Sequence, residues 1–230
     1  NAGQVVANVD FGNQVTSTTL PHFDDFDDGV ADGFDPQAGN WFVNGALKYR
    51  PVPVIGSDDI SVLDLANPLP SDFQVDVLLQ GKDAGVKKNA VIIFDYQGPN
   101  DFKFAGGFFG ADKWKIGHFD GVNWLTDAAF GETINTNVDY AARVVIEGNA
   151  ATLIAGGVEK TSFDFGAPLN DGQVGLGTHN AAAVFDDFNV SRLPGGVSAS
   201  STMPTLPTML MLSTTSTYLT IPAMSTMSTM

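Results

Sequence analysis

AVIIFDYQGPNDFKFAGGFFGADKWKIGHF, residues 90–119, contains three β-branched and aromatic runs, 90–96, 102–109 and 113–119, parted by Gly98 and Gly110. Apolar runs of this length, cut by turn residues, read as strands. The same rhythm extends outward in both directions. Glycines recur at short intervals from Gly29 to Gly172, and between them lie 73–79 (FQVDVLL), 142–147 (ARVVIE), 151–154, 173–177 and 184–190. No stretch of eleven or more residues carries a helical period. Two turns have a direct physical warrant as hairpins: Glu147-Gly148-Asn149 between two apolar runs, and Asp120-Gly121 before 122–125. The pattern predicts an all-β sandwich or barrel.

Composition narrows the chemistry. The chain has 230 residues with 26 acidic and 11 basic side chains, a formal net charge of −15, and 43 % apolar residues. The acids are aspartates except for Glu132, Glu147 and Glu159. Such a chain has enough apolar material for a core, and its charge opposes nucleic acid and anionic lipid while favouring divalent cations. The absence of cysteine excludes disulfides, thiolate metal clusters and cysteine nucleophiles. No apolar stretch approaches the roughly 18 residues of a membrane helix. Asn1 follows no basic leader region, which predicts a processed or excised piece.

The composition changes after Arg192, the last charged residue. From there Ser, Thr, Met, Pro and Leu dominate, with all six methionines between 203 and 230. Prolines at 204, 207 and 222 oppose a central strand. Residues 194–230 are expected to be a solvated low-complexity tail. A competing reading lets 206–221 add to a neighbouring sheet edge in an assembly.

The order of the pieces matters more than any one of them. Asp24-Asp25-Phe26-Asp27-Asp28-Gly29, Gly39-Asn40-Trp41, Gly45-Ala46-Leu47, 73–77, 94–102, 142–146, Gly172-Gln173-Val174-Gly175-Leu176 and Phe185-Asp186-Asp187-Phe188-Asn189-Val190 follow one another along the chain. This series resembles the laminin-G-like, concanavalin A-like jelly-roll superfamily, in particular bacterial extracellular members that open with DDF…DG and close with GxVGL…FDDFxV. The resemblance implies an antiparallel two-sheet jelly-roll sandwich over residues 21–193, with first and last strands paired. Residues 2–13, AGQVVANVDFGN, resemble the closing strand of a B-type repeat from serine-aspartate-rich surface proteins. That likeness implies that residues 1–20 are the remnant of a preceding repeat in a long surface protein.

Two sets of residues are candidates for chemistry. Asp24, Asp25, Asp27 and Asp28 crowd the first strand and Asp186 and Asp187 the last, a junction rich enough in oxygen for calcium. Strict alternation puts Asp186 on the same face as Val184, Phe188 and Val190, where a carboxylate needs a cation or several donors. Calcium and hydrogen bonds to turn amides both answer that need, with Asp32 and Asp35 as further ligands. The spacing is not that of an EF-hand. The second set is Tyr96, Asp101, Trp114, His118, Trp124 and His179-Asn180, where aromatic faces and polar groups suit the two sides of a sugar ring. Core packing is the competing reading for the tryptophans, and guarding of edge strands for Lys103, Lys113 and Lys115.

Catalysis finds little support. The three glutamates are dispersed, and His22, His118 and His179 lack a serine elbow or a zinc-binding helix around them. The expected function is therefore a non-enzymatic extracellular or cell-surface module that binds a carbohydrate or glycoconjugate, contributes to adhesion and takes calcium. The alternatives are a structural spacer or a filament subunit that joins copies of itself or neighbouring domains by strand addition, and, behind both, a glycan-active hydrolase.

Overall fold

The computed structural model describes residues 18–85 and 87–194. The expected remnant strand at 1–17 and the low-complexity segment from 195 onward lie outside the described residues, as do the strand additions assigned to them. What is described is an antiparallel β-sandwich with one short 3-10 turn, Phe109–Ala111.

One sheet contains β1 (His22–Asp24), β3 (Trp41–Val43), β4 (Tyr49–Pro51), β6 (Asp72–Gly85), β11 (Tyr140–Glu147), β12 (Ala150–Ala155), β13 (Val158–Asp164) and β15 (Ala181–Arg192). Its order is β13-β12-β11-β6-β15-β4-β3, with β1 also paired to β15. The second sheet contains β2 (Phe34–Ala38), β5 (Asp58–Leu63), β7 (Ala90–Gly98), β8 (Asp101–Phe108), β9 (Lys113–Phe119), β10 (Trp124–Gly131) and β14 (Gln173–His179), in the order β10-β9-β8-β7-β14-β5-β2. The first and last strands pair as the resemblance implied, His22 opposite Val190 and Asp24 opposite Phe188. Both expected hairpins form. Gly148 takes φ +63° between β11 and β12, and Asp120 Oδ1 accepts the amides of Val122 and Asn123 between β9 and β10.

Period-2 alternation builds the core between the sheets. Phe73, Val75, Val77 and Leu79 of β6 face Ile92 and Phe94 of β7, Trp114 and Ile116 of β9, and Val174 and Leu176 of β14. Residues 90–96 are buried throughout, because the second sheet is apolar on both faces. Its outer face carries a separate cluster: Ile60, Val62, Val91, Ile93, Tyr96, Phe102 and Phe104, with Phe119 and Trp124 packed against it. Side chains on the outer face of a flat sheet would be open to solvent, yet Val91, Ile93 and Phe104 are wholly buried.

Curvature accounts for this. The indole N–H of Trp124 on β10 donates to Asp58 Oδ2 on β5 at 2.7 Å, although β5 is five places along the sheet order. On a flat sheet, strands about 4.8 Å apart would separate those positions by roughly 24 Å. The sheet therefore curls around its outer face, which is concave. Gly117 permits it: a Cβ there would stand 2.0 Å from the Leu125 carbonyl oxygen and 2.5 Å from the Phe104 ring.

Alternation fails at one expected place. Between Asp186 and Asn189 the register of β15 on β6 shifts by one residue, and Asp187 takes φ +49°. This bulge reverses the side-chain parity, so that Phe185 and Phe188 both point inward. Asp186 consequently lies outside the core face, against the expectation from strict alternation. Its carboxylate pairs with Lys48 at 3.1 Å.

Candidate functional site

Turn amides satisfy part of the acidic junction. Asp24 Oδ1 accepts the Phe26 amide at 2.8 Å and Oδ2 the Asp32 amide at 2.7 Å. Burial pushes this carboxyl up to about 6 despite those two bonds. Asp25 accepts the amide of Asp27, and Asp28 that of Val30, in turns of two residues. Burial, with repulsion from Asp186, Asp25 and Asp27, raises the Asp187 carboxyl. Among the described residues no three carboxylate or imidazole groups gather in a way that would hold a metal ion. Of the two readings for this junction, turn-amide bonding fits Asp24; Asp24, Asp25, Asp27, Asp186 and Asp187 are not brought together as a metal-binding group among the described residues.

The concave face offers a different arrangement at the end where β14 and β5 meet the start of β7. A pocket of about 640 Å³ opens there, bounded by Trp124, His179, Phe108 and the lysines 87, 88 and 115. Asp58 sets its geometry. One carboxylate oxygen takes the Trp124 indole N–H, the other the His179 Nδ1–H, both at 2.7 Å. Burial opposes ionisation of Asp58, but these bonds outweigh it and hold the carboxyl below its ordinary range. With Nδ1 protonated, Nε2 of His179 is an acceptor, and the Lys87 ammonium donates to it. The imidazole stacks on the indole at 5.0 Å and 24°. Behind it, Asn89 clamps the His179 backbone, donating to its carbonyl at 2.8 Å and accepting its amide at 2.7 Å. The result is a pre-set aromatic wall, fixed by three side chains from separate strands and connections.

The expected ligand residues divide. Trp124 forms the wall itself. Asn180 stands just behind it at φ +47°, where its side-chain oxygen accepts the Gly56 amide at 2.8 Å and so anchors the loop before β5. The others lie apart. Tyr96 is sealed within the concave cluster, stacked on Phe102 at 6.0 Å. Trp114 is 1 % exposed and points between the sheets, its indole N–H donating to Glu132 at 2.8 Å. His118 is on the face of β9 opposite Lys115 and bonds Asp127 at 2.7 Å. Asp101 is exposed at the first position of β8.

Sequence reasoning passed over Asp58, Lys87 and Asn89, and of its two readings for Lys103, Lys113 and Lys115, as flanks of the aromatics or as edge guards, the second fails. β9 is paired on both sides, so Lys113 and Lys115 do not guard an edge. Lys115 Nζ instead lies 4.4 Å over the Phe108 ring. Lys103, also within the sheet on β8, is paired with Asp95 at 2.5 Å. The one available signal was a shared parity: Asp58 and His179 face each other across β5 and β14, which becomes visible only once those strands are paired.

No protein-family model matches the chain, and no curated protein matches its sequence. Solved structures do match its fold. A carbohydrate-binding module, CBM66 from Bacillus subtilis, superposes with a TM-score of 0.62 at 16 % identity, covering 76 % of this chain and 99 % of that one. The exoplasmic/lumenal domain of VIP36, in a Ca2+/Man3GlcNAc-bound form, gives 0.52 at 9 % identity over 71 % of this chain and 84 % of that one. The GH43 protein BlXynB from Bacillus licheniformis gives 0.56 at 16 % identity, over 74 % of this chain but 39 % of that one.

Proposed function

We propose that this sandwich is a non-catalytic carbohydrate-binding module acting outside the cell, where it contributes to adhesion. One observation carries the reading. The Trp124 indole is locked by Asp58 and His179 at the wall of a pocket of about 640 Å³, a size that suits a short saccharide. An aromatic wall of indole and stacked imidazole, fixed in advance, meets a sugar ring at little cost in side-chain entropy. Lys87, Lys115 and Thr126 supply polar partners around it. No carboxyl group lines the pocket, whereas glycoside hydrolysis ordinarily requires two facing the scissile bond. The fold shared with a carbohydrate-binding module and a mannose-bound lumenal domain supports the same reading. The Asp-rich, Lys-poor composition suits an extracellular setting.

A broad glycan array followed by titration calorimetry tests it. The full chain is expected to bind a defined glycan subset, and Trp124→Ala to weaken that binding at least tenfold. Because Trp124 also packs on Phe102 and Phe104, a second variant, Thr126→Trp, fills the pocket from an exposed position and should abolish binding without unfolding the protein. An array with no signal, or binding unchanged in both variants, overturns the proposal.

A further inference from the structure

The charge around the pocket is opposite to that of the molecule. The chain carries −15 overall, yet three of its eight lysines line this one cavity and no aspartate or glutamate does. Elsewhere four of the other eight Lys and Arg side chains are in ion pairs: Lys48 lies at Asp139 and Asp186, Lys103 at Asp95, Lys160 at Glu132 and Arg143 at Asp76. Of the pocket lysines, Lys88 is held by Asp83 at 2.7 Å. Among the described residues Lys87 and Lys115 have no carboxylate within ion-pair distance. Lys87 instead donates to an imidazole nitrogen, and Lys115 leans on a phenyl face. Burial, together with repulsion from Lys113 and Lys87, lowers the Lys115 ammonium below its ordinary range. Two ammonium groups without a carboxylate partner on the lining of one cavity make a site that favours negative charge.

Building on the saccharide reading, we infer that the pocket selects acidic sugars, seating an anionic substituent between Lys87 and Lys115 while the ring lies against Trp124. The substituent is a uronate carboxylate or a sulfate ester, both of which present the oxygens that two ammonium groups satisfy. Neutral sugars leave both charges without a counter-charge and gain less. The chain's overall negative charge does not prevent this, because its field is screened beyond about 8 Å at physiological salt, and the two lysines act at contact distance.

Calorimetry on the full chain decides the matter with three probes: an oligogalacturonate, its carboxyl-reduced neutral counterpart, and a heparin-derived sulfated tetrasaccharide. At least one acidic probe should bind ten times more tightly than the neutral one, and the two acidic arms tell carboxylate from sulfate. Lys87→Gln and Lys115→Gln should each erase most of that preference while the unfolding midpoint stays within a degree or two. If neutral glycans bind, depend on Trp124 and are matched by the acidic probes, the saccharide reading stands and this inference falls. The same holds if the glutamine variants keep the full preference. If none of the three probes binds and the glycan array is silent, both fall together.

Discussion

Asp59→Asn isolates a buried carboxyl group that the fold leaves half-satisfied. Asp59 is 1 % exposed, its Oδ2 accepts the Thr178 hydroxyl at 3.2 Å, and its Oδ1 has no partner. Burial, with a contribution from neighbouring Asp58, pushes the carboxyl up to about 6 from 3.8. The folded protein thus holds a proton that the unfolded chain has released. That contribution to stability is complete below about pH 4, declines as pH rises and is gone above about 6. At about 1.4 kcal/mol per pK unit, the ionised side chain costs the folded state on the order of 3 kcal/mol at pH 8. An amide of the same shape keeps the Thr178 contact and does not titrate. The variant should therefore match the parent near pH 4 and exceed it by 2–3 kcal/mol near pH 8, both figures being order-of-magnitude values from the same conversion. Urea unfolding followed by tryptophan fluorescence at fixed ionic strength, from pH 4 to 8, measures the difference. Asp24, also raised to about 6, adds a slope of the same sign, and Asp58, held low, one of opposite sign. Both remain in the variant, so subtracting the two curves removes Asp24 and leaves Asp59 together with its repulsion from Asp58. Parallel curves, or a variant weaker than the parent at pH 8, would refute the reasoning.

Other outcomes follow from single features. Gly117→Ala drives a methyl group to 2.0 Å from the Leu125 carbonyl and should cost about 3 kcal/mol in urea unfolding. Asp187→Gly removes the Cβ from a residue at φ +49° and should stabilise the fold by roughly 1 kcal/mol, provided the bulge persists. Asp58→Asn leaves the pocket intact but offers one oxygen to two donors, so Trp124 or His179 loses its anchor and glycan affinity drops about tenfold. Excess chelator, and separately millimolar calcium, should each leave the unfolding midpoint unchanged within about a degree, since Asp24 is held by two amides and Asp186 by Lys48; a rise of several degrees with calcium would overturn this.

The sandwich was legible because strands short enough to be cut by glycine leave a mark in the sequence. Residues 113–119 coincide with β9, and the runs at 73–79, 90–96 and 142–147 fall within β6, β7 and β11. Short strands such as β3 and β4, with three residues each, leave no such mark. The site was less legible for reasons of parity. Trp114 and Trp124 look alike in sequence, each beside a hairpin and each next to polar residues. Which of them faces the pocket depends on the face each strand turns to the interior, and where both faces of a sheet are apolar hydrophobicity does not say. The bulge at Asp187 hid the orientation of Asp186 in the same way, by inserting an extra residue that no local pattern announces. Lys87 is the hardest to read, since it lies in the connection between β6 and β7 and gains meaning only from His179, ninety-two positions away.

The bond from Trp124 to Asp58 has a mechanical consequence. Backbone pairing between neighbours allows a sheet a range of bends, and only a contact that skips the intervening strands selects one. Trp124 and Asp58 make that contact across the hollow of the sheet, as a string spans a bow. Its span fixes the depth of the hollow and the width of the cavity beside it. A guest that needs more room must first slacken the string, and one that fits without doing so meets a frame already drawn to its shape.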